Sequence, residues 1–359
     1  MLKGNKGEWS EIYTLLKLLG DKEIYVGDEN LNKIPDLLYP IIKILRDENN
    51  GNCEYSVNDN LILITGEDDS FSISIVEFKQ KSELLLNKIK EAHSSSFDVP
   101  EIEDFLSQIK CSTLKAKSSS KTDIRIIIHD LKTNLQPELG FSIKSQLGGA
   151  STLLNAGKTT NFIYEIEKCG LTNDFVERTN LIDTRSKIKD RLNAVINNSC
   201  KIQFNQTEKE VFGNNLILID SLLPNILAEI TFDFYTSNLS KIIDLVENIE
   251  SNNPLNFNTA NNHKFYEYKI KKFLTEVALG MMPAKVWNGI YDATGGYLVV
   301  KEDGEILSYH IYNKNKFENY LFHNTKLETA SSSRHDFGKI YEENGKYFIK
   351  LNLQIRFLK

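Results

Sequence analysis

The run Thr122–His129, TDIRIIIH, constrains the fold more than any other stretch of the chain. Its β-branched isoleucines lose side-chain freedom in a helix and pack well on a pleated surface, so it predicts a strand. A polar loop, Asp130–Leu139, leads to a second short strand, Gly140–Ser145 (GFSIKS). Strand alternation puts Ser142, Lys144 and Gln146 on one face and Phe141, Ile143 and Ser145 on the other. An acid, Asp123, thus heads one strand, and 21 positions later Lys144 stands inside its neighbour. That pairing suits attack on an anionic phosphodiester. Carboxylate oxygens hold a hard divalent cation, and a lysine one strand away orients or deprotonates the attacking water. The same alternation also fits a surface strand with a solvated lysine.

Around this pair the chain alternates helical and extended patterns. Glu8–Leu19 carries Trp9, Ile12, Leu15, Leu16 and Leu19 at helical spacing. Lys33–Arg46 reads as a second helix, with Pro35 near its first turn. Leu61–Thr65 and Phe71–Phe78 read as a hairpin, and Ser82–Ala92 and Pro100–Ile109 as helices. Ser151–Asn155 is a short helix candidate beyond Gly148-Gly149. Residues 170–260 are mainly helical, with a break at Ser251–Pro254. The last third combines a helix, Lys264–Ala278, with strands at Gly296–Val300, Ser308–Tyr312, Lys339–Glu342 and Tyr347–Phe357. Asp303-Gly304 and Asn344-Gly345 are hairpin turns.

With 41% hydrophobic and 26% charged residues the chain has material for a core and is not globally disordered. No apolar run approaches the roughly 18–20 residues of a membrane span. The N-terminus lacks a signal-peptide apolar region, so a cytoplasmic protein is expected. Cys53, Cys111, Cys169 and Cys200 are scattered, which disfavours a zinc site and favours four free thiols. The net charge of −6 runs against a nucleic-acid partner, but a footprint is local. Lys110, Lys115, Lys117, Lys121 and Arg125 face one acid, Asp123, and Lys264, Lys269, Lys271 and Lys272 form another basic cluster. No GxxxxGK[ST] motif occurs, which excludes a nucleotide-hydrolysing phosphate loop.

The segment KTDIRIIIHD…GFSIKSQLGG resembles the PD-(D/E)XK nuclease core, and NKGEWSEIYTLLKLL resembles its leading helix. HKFYEYKIKKFLTEVALGMMPAKVWNGIYDATGGYLVVK, with NTKLETASSSRHDFG and LNLQIRF, resembles the HpaII-type restriction endonucleases from end to end. The resemblance implies a type II restriction endonuclease that cuts duplex DNA at CCGG with Mg²⁺ as cofactor. It also implies a cognate DNA methyltransferase acting on the same site. One departure stands out. Ser142 occupies the usual (D/E)XK acid position, so a carboxylate must come from elsewhere. Glu8 and Glu11 both fit the Gly-x-x-x-Glu spacing of the leading helix; Glu11, at the edge of the apolar stripe, is favoured over Glu8. Asp130 is a weaker substitute. Asp123 and Glu11 are therefore the expected metal ligands, with Lys144, Ser142 and Gln146 completing the catalytic face.

Base reading calls for bidentate donors, above all arginine to guanine. The C-terminal third offers only Arg334 and Arg356. Arg334, in the small-residue loop SSSRHDFG, is the favoured reader, with His335 and Asp336 beside it; Arg356 alternates with apolar residues and reads as structural. Asn155, Lys158, Thr160 and Asn161 suit phosphate contact or, equally, a capped turn. A palindromic target calls for two sets of contacts, from a homodimer or within one chain. The expected fold is mixed α+β (α/β): a PD-(D/E)XK nuclease-like core with a central mixed sheet flanked by helices over 1–168, a mainly helical insertion over 169–259, and a C-terminal α+β region over 260–359 contributing to DNA recognition. Ser142 leaves one alternative, a non-catalytic DNA-binding protein with a degenerate site.

Overall fold

The isoleucine run forms the strand Ile124–Ile128, with Ile124, Ile126 and Ile128 buried in one core. The computed structural model describes residues 2–48, 51–67, 69–115, 121–167 and 170–359. In it this strand pairs antiparallel with Glu138–Ser145, placing Ile124 opposite Phe141 and Ile126 opposite Leu139. The pair lies inside a nine-stranded mixed sheet ordered Glu23–Gly27, Ile306–His310, Gly296–Val300, Glu138–Ser145, Ile124–Ile128, Lys33–Glu48, Gly51–Asn58, Leu61–Thr65, Ser70–Ser74. Seven of these strands come from residues 1–168, and two, Gly296–Val300 and Ile306–His310, from the C-terminal third. Smaller antiparallel sheets join Asn161–Glu167 to Lys201–Thr207 and Lys346–Asn352, and Ile355–Phe357 to Thr152–Leu154 and Thr325–Leu327. The fold is mixed α+β.

Gly296–Val300 runs parallel to Glu138–Ser145, with Tyr297 beside Ser142 and Val299 beside Lys144. It is a fully buried strand, as parallel pairs with both faces covered require. Leu298 and Val300 join a core with the N-terminal helices, while Tyr297 and Val299 join a second core with the C-terminal helices. Gly296 has φ +97°, and a Cβ there would lie 2.1 Å from the Tyr309 carbonyl oxygen, so glycine is required where the strand begins.

The leading helix spans Lys6–Asp21 and opens on a capping box formed by Asn5 and Glu8. Trp9, Ile12, Leu15, Leu16 and Leu19 are fully buried, and burying such side chains contributes about 1.5–3 kcal/mol each. The helix packs against Ile75–Glu91, which begins where the hairpin strand Ser70–Ser74 ends.

Lys33–Arg46 is not a helix but most of the 16-residue strand Lys33–Glu48. Its apolar residues satisfy either period, and its prolines decide. Proline lacks an N–H and drives the preceding residue away from helical dihedrals. Pro40 stands where the strand changes neighbours: it faces Glu23, while Ile41 already faces Ile128. Ser151–Asn155 likewise holds a strand, Thr152–Leu154, because its pairing partner is the distant Ile355–Phe357. Cys53 and Cys111 are free and buried, as expected, whereas Cys200 takes part in a disulfide; Cys169 lies outside the described residues. Among the described residues no single helix is long and apolar enough to cross a membrane.

Candidate functional site

The polar face of Glu138–Ser145 carries a three-residue relay. Lys144 Nζ donates to Ser142 Oγ at 2.8 Å, and Ser142 Oγ donates to Asp123 Oδ2 at 3.0 Å. The same carboxylate oxygen accepts the Ile143 N–H at 2.7 Å. The strand register produces this directly, since the Asp123 N–H donates to the Phe141 carbonyl at 2.8 Å and so sets Asp123 across from Ser142. Ser142, at the expected acid position, thus supplies a hydroxyl bridge between lysine and carboxylate.

Lys144 is enclosed, with Nζ 4.9 Å from the centre of the Tyr297 ring. Burial pushes its ammonium below the ordinary lysine range, and the carboxylates of Asp123 and Glu11 pull the other way. Asp123 and Glu11 therefore act on one ammonium from different elements, a strand start and the leading helix. Glu11 also lines a cleft of about 550 Å³ with Lys6, Ser145, Gly148 and Lys359. Gln146 lines a smaller cavity beside Lys144, and its N–H donates to the Val300 carbonyl at 2.8 Å.

Glu8 has a different employment. Its Oε2 accepts the Asn5 N–H at 2.9 Å and its Oε1 pairs with Lys115 at 3.0 Å; the Asn5 N–H chiefly holds its carboxyl below the usual range. Asp130 caps a turn, accepting the Lys132 N–H at 2.9 Å and the Thr133 hydroxyl at 2.8 Å, at the strand end opposite Asp123.

Sequence reasoning missed two neighbours of the relay. Tyr297 arrives through a pairing with Ser142, far away in the sequence, which no local pattern signals. Lys121 donates to the Val277 carbonyl at 3.1 Å, and burial, with Lys144 nearby, lowers it to about 8. Its position two residues before Asp123 was the available signal, hidden in a basic run.

That run is not a block of unpaired cations. Lys110 pairs with Asp69, Lys115 with Glu8, and Arg125 with Asp47 and Glu138 at 2.7 and 2.9 Å; Lys117 lies outside the described residues. In the second cluster Lys269 pairs with Asp220 and Lys271 with Glu267.

The residues expected to meet DNA divide by burial. Arg334 is exposed on the short helix Ser332–His335, and Asp336 follows with φ 57°. Asn155 and Lys158 are exposed, and Lys158 lies 3.4 Å from Asp336. Thr160 and Asn161, however, are fully buried. Asn161 Nδ2 donates to Glu208 at 2.7 Å and to the His335 carbonyl at 2.9 Å, while Asn352 Nδ2 donates to Asn161 Oδ1 at 2.7 Å and Thr160 Oγ1 at 3.1 Å. Their polar groups tie the 155–160 turn to the Arg334 loop. Arg356 pairs with Glu328 at 2.8 Å and donates to the Ala150 carbonyl, the structural role expected of it.

Asp123, Glu11 and Ser142 offer oxygen donors alone, the set a hard divalent cation prefers. Among the described residues no three His, Cys, Asp or Glu side chains gather, so such an ion would keep several waters. Lysine, hydroxyl and carboxylate beside oxygen donors suit chemistry on an anionic substrate.

The comparisons with known proteins specify the class. The family model for the HpaII restriction endonuclease matches residues 5–357. A relative, "Type II restriction enzyme HpaII" of Haemophilus parainfluenzae, is 51% identical over 358 residues, covering 99% of this chain and 98% of the relative. No solved structure matches the chain. The chain belongs to the HpaII restriction endonuclease family and is a type II restriction endonuclease, a site-specific nuclease whose substrate is duplex DNA. The alternative of a non-catalytic DNA-binding protein gives way. Enzymes of this type generally use a divalent metal.

Proposed function

We propose that this endonuclease cuts duplex DNA at the palindrome CCGG with Mg²⁺, using the Asp123–Ser142–Lys144 relay. The observation that carries the reading is the enclosed Lys144, 2.8 Å from Ser142 and one hydrogen bond further from Asp123. An acid at the start of one strand and a lysine inside its antiparallel neighbour support a PD-(D/E)XK core, with serine standing at its second acid position. Asp123 and Glu11 would hold the Mg²⁺, which when bound neutralises phosphate charge and acidifies its own water. Lys144, whose charged form burial disfavours, orients the attacking water and accepts its proton. Hydrolysis then joins the water oxygen to phosphorus and releases a sugar oxygen, which leaves with a proton from solvent. Ser142 keeps lysine and carboxylate in register, and Gln146 completes the polar face. Arg334 reads guanine, His335 and Asp336 flank it, and Lys158 and Asn155 contact phosphate.

The palindrome favours a homodimer presenting Arg334 twice. A cognate methyltransferase marks the same sequence in host DNA, which places the enzyme's work in the cytoplasm. Supercoiled plasmid carrying CCGG sites tests the reading. Discrete fragments with Mg²⁺ and none without it are expected; intact supercoils under both conditions, or fragments from a plasmid lacking CCGG, would sink it.

A further inference from the structure

The segment between the helix Phe265–Leu279 and the strand Gly296–Val300 is absorbed by none of the roles above. Its sequence, MPAKVWNGI over residues 282–290, presents large apolar side chains to solvent: Val286 is 79% exposed and Ile290 68%. Surface loops are normally polar, because apolar groups held in water gain nothing from being there. This loop is also built to be stiff. Asn215, only 3% exposed, donates to the Lys285 carbonyl at 2.8 Å and accepts the Trp287 N–H at 3.1 Å. The Trp287 indole N–H donates to the Ile290 carbonyl at 2.9 Å, and the Tyr291 hydroxyl donates to Glu276 at 3.0 Å. Gly280 lets the returning chain close: a Cβ there would lie 2.5 Å from the Ile290 carbonyl oxygen. A buried asparagine spent on holding two exposed aliphatic side chains in place has no explanation in the core.

The loop returns at the catalytic strands. The Asp292 carbonyl accepts the Thr122 hydroxyl at 2.6 Å, one residue from Asp123, and the Gly140 N–H donates to Thr294 at 3.1 Å. Ile290 therefore stands two residues from a contact that adjoins the relay.

We propose that Val286 and Ile290 form a preset apolar wedge that enters a groove of the DNA beside the scissile phosphate. The inference rests on duplex DNA as the substrate. Its partner surface is the apolar part of that duplex, base faces and sugar edges, which aliphatic wedges engage by partial unstacking. Lys285 at the same tip, exposed, faces the phosphates.

Binding of CCGG and scrambled duplexes in metal-free buffer, over a range of salt, tests the wedge. The double variant Val286→Ser/Ile290→Ser should bind the CCGG duplex at least about tenfold more weakly, the scale of one lost base-level contact. Its salt slope should match wild type, because no phosphate contact is removed. Lys285→Ala should instead lower the slope by about one. Asn215→Ala, which only frees the loop, should weaken CCGG binding in the same sense. Thermal midpoints of the double variant should be unchanged, since both side chains lie outside the core. Wild-type CCGG affinity in the double variant would overturn the wedge, as would a loss that appears only through a changed oligomeric state in sedimentation. A wild-type protein that neither binds nor cuts duplex DNA would instead remove the substrate on which the wedge rests, and this is read before any variant is made.

Discussion

Two cation–carboxylate clusters on one sheet, one buried and one half-buried, are built in opposite ways. On Lys33–Glu48, Arg46 Nε donates to Glu48 Oε1 at 2.6 Å, while Glu48 Oε2 accepts from the backbone N–H and hydroxyl of both Ser112 and Thr113 at 2.9–3.0 Å. Arg46 Nη2 reaches the Thr113 carbonyl at 2.6 Å. The cluster clasps the segment leading towards Asp123, and Glu48 holds the guanidinium firmly charged against its burial. On Glu138–Ser145, Lys144 reaches Asp123 through Ser142 and feels Asp123 and Glu11 by their field, and burial wins: its charged form is disfavoured. A fully bonded buried charge is a structural clasp. An enclosed cation whose charge is poorly compensated gives up its proton more readily and is then free to act as a base.

The comparison breaks most easily at Glu48. Glu48→Ala strands a buried guanidinium, so unfolding stability should fall by about 3–5 kcal/mol. A urea midpoint equal to wild type would remove the distinction. At the second cluster the loss should appear in rate. Lys144→Ala should keep DNA affinity and lower cleavage by roughly 10²-fold or more, and Asp123→Asn should abolish Mg²⁺-dependent cutting. Single-turnover rates near wild type would show the relay to be ornamental.

Stability against pH sharpens the same contrast. With its folded pKa lowered, Lys144 makes the unfolded chain bind more protons than the native one between that value and the ordinary lysine range. Wild-type stability attributable to Lys144 therefore rises with pH across that window. Lys144→Met should be more stable than wild type at neutral pH, and its advantage should shrink as pH approaches the lysine value. Paired denaturation curves at several pH values would show a constant gap if burial did not disfavour the charge.

Arg334 supplies the exposed counterpart of Arg46. Arg334→Ala should leave the urea midpoint unchanged and weaken CCGG binding by about 1–3 kcal/mol, tenfold to a hundredfold, with a smaller effect on scrambled duplex. Equal losses on both duplexes would make it a phosphate contact. The smallest effect separates two glutamates. Glu8→Gln should cost about 0.5–2 kcal/mol of stability as a weakened cap and leave cleavage alone, whereas Glu11→Gln should lower the cleavage rate. Identical behaviour of the two in a plasmid assay would undo their assignment.

What the sequence disclosed was local. The alternation of TDIRIIIH and GFSIKS set Asp123 and Lys144 on adjacent strands, and the Trp9–Leu19 stripe fixed the leading helix, because both patterns act over a few residues. The failures came where distant chain decides. Lys33–Glu48 has neighbours on several strands, and Thr152–Leu154 waits for residues 355–357. Burial was equally hidden: Thr160 and Asn161 are polar and small in sequence, yet Asn352 and His335 enclose them. Charge runs misled for the same reason, since Asp47, Glu138 and Asp69 come from elsewhere to neutralise them.

The parallel pairing of Gly296–Val300 with Glu138–Ser145 also sets an order of events during synthesis. Chains fold as they emerge, N-terminus first. A nascent chain that already displays Asp123, Ser142 and Lys144 still lacks the strand that flanks them and the Tyr297 ring that encloses the lysine. Until residue 300 has left the ribosome, the lysine lacks the strand and the ring that enclose it in the finished fold. If Asp123, Lys144 and Arg334 take the roles proposed for them, the cutting centre is completed only as the recognition region is being made, which spares the genome of the cell that makes it.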